Sequence, residues 1–276
     1  MTMVLFDNHN HSEFSFDGKR SSVEGCAAAA RSLNFGGIAF TDHCDHFVPK
    51  MKANMENLIP EVFDVQAQQK EIERVQQIYP DLKLLKGIEV GMHEDCHEPI
   101  RKILNDYSFD QIIASVHYLD GIDPFYGGYY EGKEWRYAYG HYLETIHKEM
   151  TWLMDFDILG HFDYIVRYAP YAQTSMKYQD FSDILDSIFK VLIHEGKALE
   201  INTKSYMDYK GRMVTADPEV LKRYRELGGE IISLGSDSHS PDRLGDNFLT
   251  HVHMLKSLGF RWTAHYEGRR LVQLPL

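Results

Sequence analysis

Cysteine is scarce in this chain: Cys26, Cys44 and Cys96 are an odd number in 276 residues and form no Cys-x-x-Cys pair. That usage fits reduced thiols rather than a disulfide framework, and Cys44, although it adjoins His43, reads as a small buried hydrophobe. Long apolar runs are missing too. None approaches the ~18 residues that a bilayer span requires, and a ligand-type motif begins by His9, too early to leave room for a signal peptide. The expectation is a cytoplasmic protein without a membrane partner. Basic residues are in deficit, 29 Lys and Arg against 41 Asp and Glu for a net charge of −12. Binding to a nucleic-acid backbone is driven by clustered cations, so nucleic acid is not expected as the main partner, although a local basic pocket is compatible with this balance. No internal repeat, low-complexity tract or linker interrupts the chain, which predicts one domain over residues 1–276, a length that α/β barrels reach. Nothing in the sequence fixes an oligomeric state.

What the chain does have is a series of short apolar runs, each followed by a polar cluster. They lie at Met3 to Phe6, Gly37 to Phe40, Leu82 to Ile88, Gln111 to Val116, Phe156 to Leu159, Ala198 to Ile201 and Glu230 to Leu234. Continuous rather than alternating hydrophobicity marks parallel strands covered on both faces. Helical segments separate them. Ser21-Ser22-Val23-Glu24 has the form of a capping box ahead of an Ala-rich run to Leu33. Glu61 to Ile78 is closed by Pro80, Glu134 to Met154 is aromatic-rich, and Phe181 to His194 stops at Gly196. Asp217-Pro218 opens a helix that ends at Gly228-Gly229, and Phe248 to Leu258 precedes a last short strand around Leu271. The Gly121 to Gly132 stretch reads as a long loop and a lid. Strand and helix repeated about seven times predict right-handed crossovers and a closed or nearly closed α/β barrel, whose function gathers where the strands end.

The polar clusters at those ends carry metal-ligand chemistry. They are His9 and His11 as His-x-His, Asp17, Thr41-Asp42-His43, Glu89, Ser115-Val116-His117, Gly160-His161 and Ser236-Asp237-Ser238-His239. Six His and three carboxylates are donors that divalent ions accept, and they outnumber what one ion can hold, so two or three metals are expected. One His-x-His is a weak signal, because period two places both rings on one face of any strand; the repetition at six strand ends is what gives it weight. Asp17 lies in a polar loop and reads equally well as a turn residue. Asp42 and Asp163 are expected to orient imidazoles rather than to bind an ion. His46, three residues beyond His43, is a candidate substrate contact, whereas His93, His97, His141, His147, His194, His251, His253 and His265 read as ordinary surface or satisfied histidines. An anionic substrate needs cations, and Arg20, Arg167, Lys204 and Arg243 each fall on an expected strand-to-helix loop, where a guanidinium can grip phosphate through two bonds. Arg167 is the strongest of these.

The ordered set His9-Asn10-His11, Thr41-Asp42-His43, His117 after Glu89, His161, and Ser236-Asp237-Ser238-His239 resembles the PHP family (polymerase and histidinol phosphatase) over nearly the whole chain. The resemblance implies a distorted (β/α)7 barrel, TIM-like, and a metal-dependent phosphoesterase. Within the family, Ser115-Val116-His117 followed by Leu119-Asp120-Gly121, Gly160-His161-Phe162-Asp163 and Leu199-Glu200-Ile201-Asn202-Thr203 are similar to the members that hydrolyse L-histidinol phosphate in histidine biosynthesis. It further implies a trinuclear centre of Zn, Mn or Fe. One ion would take His9, His11, Glu89 and Asp237; a second would share Glu89 and add His117 and His161; a third would use Asp17, His43 and His239. A hydroxide bridging two ions would attack phosphorus, with Asp237 or His239 passing a proton to the leaving alcohol. Two departures stand out: some members have His where this chain has Asp17, and Lys204-Ser205-Tyr206 replaces a small-residue turn. The competing readings are a phosphatase for another small phosphate ester or for phosphotyrosine, a nuclease acting on strand ends, a deacetylase-like amidohydrolase, and a metal-binding module without activity.

Overall fold

The first strand does not lie where hydrophobicity alone puts it. In the computed structural model, which describes residues 4–47, 60–209 and 211–276, β1 spans Phe6–Asn10. Met3 of the expected Met3 to Phe6 run is outside the described residues, and Val4 is exposed. The strand is instead polar and fully buried. Asn8 donates to the carbonyls of Leu234 and Ala264, and Asn10 donates to those of Asp7 and Ala39, so the amides replace water with backbone acceptors.

Helix α1 (Val23–Ser32) begins as expected, with the Ser22 hydroxyl accepting from the Gly25 amide. Strands β2 (Gly37–Phe40) and β3 (His43–Cys44) follow, then α2 (Val65–Ile78). This helix starts later than the predicted Glu61 because Asp64 caps it, accepting from Ala67 N at 2.9 Å, while Glu61 pairs with Asp45 in an extended bridge. Strand β4 (Lys83–Gly91) runs past the expected end at Ile88, so Glu89 lies within a strand. Helix α3 (His97–Asp106) occupies a stretch to which the hydrophobic pattern assigns no element. Strand β5 (Gln111–Ser115), α4 (Trp135–Met150), a two-residue β6 (Ile158–Leu159), the single turn α5 (Tyr164–Arg167), α6 (Ser182–His194) and β7 (Ala198–Asn202) continue the alternation. A small antiparallel pair, β8 (Asp208–Tyr209) and β9 (Arg212–Met213), interrupts it before α7 (Pro218–Glu226), β10 (Ile232–Gly235) and α8 (Phe248–Ser257). The final short strand expected near Leu271 is one arm of a hairpin, β11 (Trp262–Glu267) with β12 (Arg270–Pro275).

Seven parallel strands pair in the order β1-β2-β4-β5-β6-β7-β10, with β3 added on β4, and form the nearly closed, distorted TIM-like barrel that the strand count implied. The seam between β10 and β1 is narrow. One bridge joins Asn10 to Ser238, and the buried Asp7 carboxylate accepts from the amides of Ser236 and Gly245 at 2.9 Å each. Burial raises the Asp7 pKa to about 6 although those bonds favour the anion. At the opposite end from the ligand motifs, Tyr266 of the terminal hairpin packs on Ile113, Ile158 and Ala198. Cys26, Cys44 and Cys96 are free and buried, and burial pushes the Cys44 thiol upward. No helix among the described residues is long and apolar enough to cross a membrane.

Candidate metal centre

Strand ends deliver the ligand-type side chains to one buried cluster. His9 projects from β1 and His11 from just beyond it; His43 opens β3; Glu89 lies near the end of β4; His117, His161 and Asp237 each follow their strand by two residues. Glu89 is the hub. Its Oε1 lies 2.9 Å from His161 Nε2 and 3.2 Å from His117 Nε2, while Oε2 lies 3.0 Å from His43 Nδ1, 3.2 Å from His9 Nε2 and 3.5 Å from His11 Nε2. The Ser115 hydroxyl steadies it with a bond of 2.7 Å to Oε1. Donor atoms within 4.8 Å of one another fall into four overlapping groups: His11, Asp17, His43 and His239; His9, Glu89 and His161; His9, His11 and Asp237; His43, Glu89 and His117. All nine residues expected to bind metal are thus brought together, Asp17 included, whose Oδ2 is 2.7 Å from His239 Nε2.

The cluster is built for a cation rather than for itself. His9 Nε2, His11 Nε2, His43 Nδ1 and Glu89 Oε2 lie close to one another, yet all are buried and make no hydrogen bond. Each such atom costs ~1–3 kcal/mol when left unpaired, and atoms that converge without bonding are what metal coordination satisfies. The electrostatics agree. Burial disfavours the charged forms of His9 and His117, yet Glu89 with Glu200 on one side and Asp45 with Glu89 on the other push both well above the usual histidine range. His11 is driven well below it by burial and by His43 and His239. The imidazoles in turn outweigh burial and hold Glu89 well below the carboxylate range. The donor set of imidazoles and carboxylates fits divalent Zn, Mn or Fe.

Beside the cluster lies a cavity of about 400 Å³. Arg167, Lys204 and Arg243, three of the predicted cations, line it; Arg20 and His46 do not. Arg20 is exposed on the loop ahead of α1, and His46, half-buried beyond β3, leaves its Nε2 buried and unbonded away from the opening. Arg167 is 4 % exposed and is fixed by Asp237 at 3.0 Å, Asn202 at 3.1 Å and Ser205 at 3.0 Å. Lys204 Nζ lies 3.1 Å from both Asp237 Oδ1 and His239 Nδ1. The rest of the lining is different in character: Glu61, Asp123 and Asp208 stand among Phe16, Phe125, Tyr126, Tyr164, Tyr168 and Tyr209. The Gly121 to Gly132 stretch, expected as a lid, is a pinned wall. Tyr129 and Tyr130 are buried and donate to the carbonyls of Ala138 and Ile165, leaving Phe125 and Tyr126 exposed above the cavity.

Two expectations about supporting carboxylates need correction. Asp42 touches no imidazole; it accepts from Ser12 N, Ser12 Oγ and Gln68 Nε2 and holds the turn after β1. Asp163 accepts from Ser205 rather than from His161. The carboxylates that reach histidines are Asp45, 3.0 Å from His117 Nδ1, and Glu200, 2.7 Å from His9 Nδ1. A signal for both was present. Glu200 is an ionisable residue inside an apolar run, and Asp45 shares the period-two face of His43.

A nearly closed α/β barrel with a buried histidine and carboxylate cluster at the strand ends defines a metal-dependent hydrolase of the barrel class. More narrowly, the chain belongs to the PHP domain family, whose model matches residues 7–204. It is 32 % identical to a protein of Clostridium acetobutylicum described as a probable histidinol-phosphatase, over 94 % of this chain and 95 % of that one. It is 31 % identical to the histidinol-phosphatase of Lactococcus lactis subsp. lactis, over 98 % of this chain and 97 % of the relative. The crystal structure of histidinol phosphate phosphatase from Lactococcus lactis, complexed with zinc, L-histidinol and phosphate, superposes with a TM-score of 0.87 at 27 % identity, covering 98 % of this chain and all of that one.

Proposed function

We propose that this protein is a phosphoric monoester hydrolase that converts L-histidinol phosphate to L-histidinol and phosphate, with two or three divalent metal ions held by His9, His11, Asp17, His43, Glu89, His117, His161, Asp237 and His239. One observation carries the choice of substrate: the cavity offers partners of both charges. Arg167 and Lys204 stand beside Asp237 and His239 of the ligand cluster, and Glu61 and Asp123 line the same cavity among aromatic rings. A phosphate monoester of an amino alcohol bearing an imidazole carries both an anionic and a cationic group to meet them. Burial raises the pKa of both Glu61 and Asp123, and a cation beside them would favour their charged forms. The relatives' name and the zinc, histidinol and phosphate bound in the Lactococcus lactis enzyme support the same reading.

Metal ions at this centre would supply Lewis acidity and lower the pKa of a water molecule. The protein's own groups do the rest. Arg167 and Lys204 draw the phosphoryl oxygens to the ligand cluster beside Asp237 and His239 and neutralise charge there. Asp237, between those two cations and His11, and His239, beside Lys204, are placed to pass a proton to the departing alcohol. Phosphate release from L-histidinol phosphate, phosphotyrosine and p-nitrophenyl phosphate, on one preparation of known metal content, tests the proposal. A kcat/KM for L-histidinol phosphate at least a hundredfold above the other two is expected; equal values would assign the cavity to another ester. Persistence of full activity after complete chelation would remove the metal.

A further inference from the structure

Six histidines face the cluster, but their outward nitrogens are not treated alike. His117 Nδ1 meets both Asp45 oxygens, at 3.0 and 3.1 Å, and His9 Nδ1 meets Glu200 Oε1 at 2.7 Å. His11 Nδ1 and His161 Nδ1 have no hydrogen-bond partner among the described residues, and His239 Nδ1 meets Lys204 and the Asp237 carbonyl. Both carboxylates are nearly sealed from water, Asp45 at 2 % exposure and Glu200 at 1 %. Glu200 is fixed at its other oxygen as well, where Oε2 accepts from His161 N at 2.7 Å.

Two backbone notches admit these side chains. A Cβ added at Gly91 would lie 1.7 Å from Asp45 Oδ1, and one added at Gly235 would lie 2.3 Å from Glu200 Oε1. Neither glycine has a positive φ, so neither is required by the backbone's own conformation. Strand register explains the first notch: His43 is level with Glu89 and Cys44 with Val90, which brings Asp45 level with Gly91, where a side chain would bar it from His117. Across the barrel Asn202 pairs with Gly235, and Glu200 runs over that bare position towards β1.

We infer that Asp45 and Glu200 are positioning residues that fix the ring orientation and the proton of His117 and His9, and that Gly91 and Gly235 keep the space they need. A carboxylate on Nδ1 holds the proton there and turns the Nε2 lone pair inward, and it raises the basicity of that nitrogen. His117 Nε2 and His9 Nε2 both point at Glu89, on opposite oxygens. The two backed histidines thus meet the hub on opposite oxygens, beside His161 and His43, which meet it at 2.9 and 3.0 Å. The group formed by His11, Asp17, His43 and His239 contains neither of them. Zinc bound through His9 or His117 is the zinc that these carboxylates would tighten.

The inference rests on the metal-binding reading above, and the test separates the two. Wild type, Asp45→Asn, Glu200→Gln, Gly91→Ala and the Asp45→Asn/Gly91→Ala double variant are equilibrated in buffered zinc, and bound zinc is read by elemental analysis. Histidine tautomers are read by ring-nitrogen NMR on the chelated proteins, at a pH alkaline enough that His9 and His117 have each lost their second ring proton. Asp45→Asn and Glu200→Gln each lower the affinity for zinc bound through His117 or His9 by about 10- to 100-fold. In the same proteins His117 or His9 respectively leaves a pure Nδ1–H form. Gly91→Ala reproduces Asp45→Asn, and the double variant is no worse than Asp45→Asn, because both changes remove one contact. Zinc affinity within twofold of wild type and unchanged tautomers in the two carboxylate variants would overturn the inference, as would additive losses in the double variant. If Gly91→Ala does not fold, the carboxylate variants decide alone. Wild type that binds no zinc would defeat the proposed function instead, and the tautomers would still decide the positioning.

Discussion

Replacing Glu89 by Gln isolates the hub of the cluster from the rest of the fold. The amide has the volume of the carboxylate and can still accept from Ser115 Oγ, which lies 2.7 Å from Oε1. What is lost is a negative charge within 3.5 Å of five imidazoles. With metal chelated at pH 8, that loss is small. The amide fills the same space, and His117 and His9 keep Asp45 and Glu200 as partners. With metal present the difference is large. A ligand at a hundred times its Kd stabilises the folded state by ~2.7 kcal/mol. In a chain of this size each kcal/mol moves the Tm by roughly 2–4 °C, so zinc raises the wild-type Tm by about 5–10 °C. The Glu89→Gln protein loses a large part of that rise, because two of the four donor groups contain Glu89 and lose their shared anion. Differential scanning calorimetry of both proteins in EDTA and in buffered zinc reads the four values. A zinc-dependent rise preserved in Glu89→Gln, or an EDTA Tm lowered as far as the zinc one, would refute Glu89 as a metal-sharing hub.

Further outcomes follow from the same geometry. Arg167→Lys, which cannot reach Asp237, Asn202 and Ser205 at once, lowers kcat/KM for a phosphate ester by about 10²- to 10³-fold and weakens inhibition by free phosphate, both read in a phosphate-release assay. Arg212→Met strands the carbonyls of Val166, Tyr171 and Gln173 that tie β9 to the loop after α5; it costs ~2–4 kcal/mol in urea unfolding and raises KM more than it lowers kcat, since β8 carries Asp208 and Tyr209 into the cavity wall. His265, stacked on Phe6 and buried, has its pKa lowered by burial and by Lys83. Between its folded and unfolded values the unfolded chain holds the extra proton, so stability falls as pH drops below about 6.5. His265→Gln is less stable at pH 8 but has a flatter stability curve between pH 6.5 and 5, measured by urea unfolding at each pH.

The amino-acid sequence by itself determined which residues form the cluster. Coordination demands particular side chains, and a parallel barrel places them at strand ends, so a run of apolar residues closing on His, Asp or Glu is a local pattern that can be read in one dimension. It erred on β1, whose buried faces are polar because Asn8 and Asn10 bond to neighbouring backbone rather than to water, and on α3, whose apolar face is short. It also offered Arg20 as a candidate beside the stronger Arg167, because position on a loop does not tell which way a side chain points. Only the tertiary structure decided which carboxylate serves which histidine. Asp42, adjacent to His43, is turned to Ser12 and Gln68, whereas Glu200, 191 residues from His9, lies against it. That pairing depends on the register of β3 on β4 and of β7 on β10, and on bare glycine positions between them, and such relations exist only once the strands lie side by side.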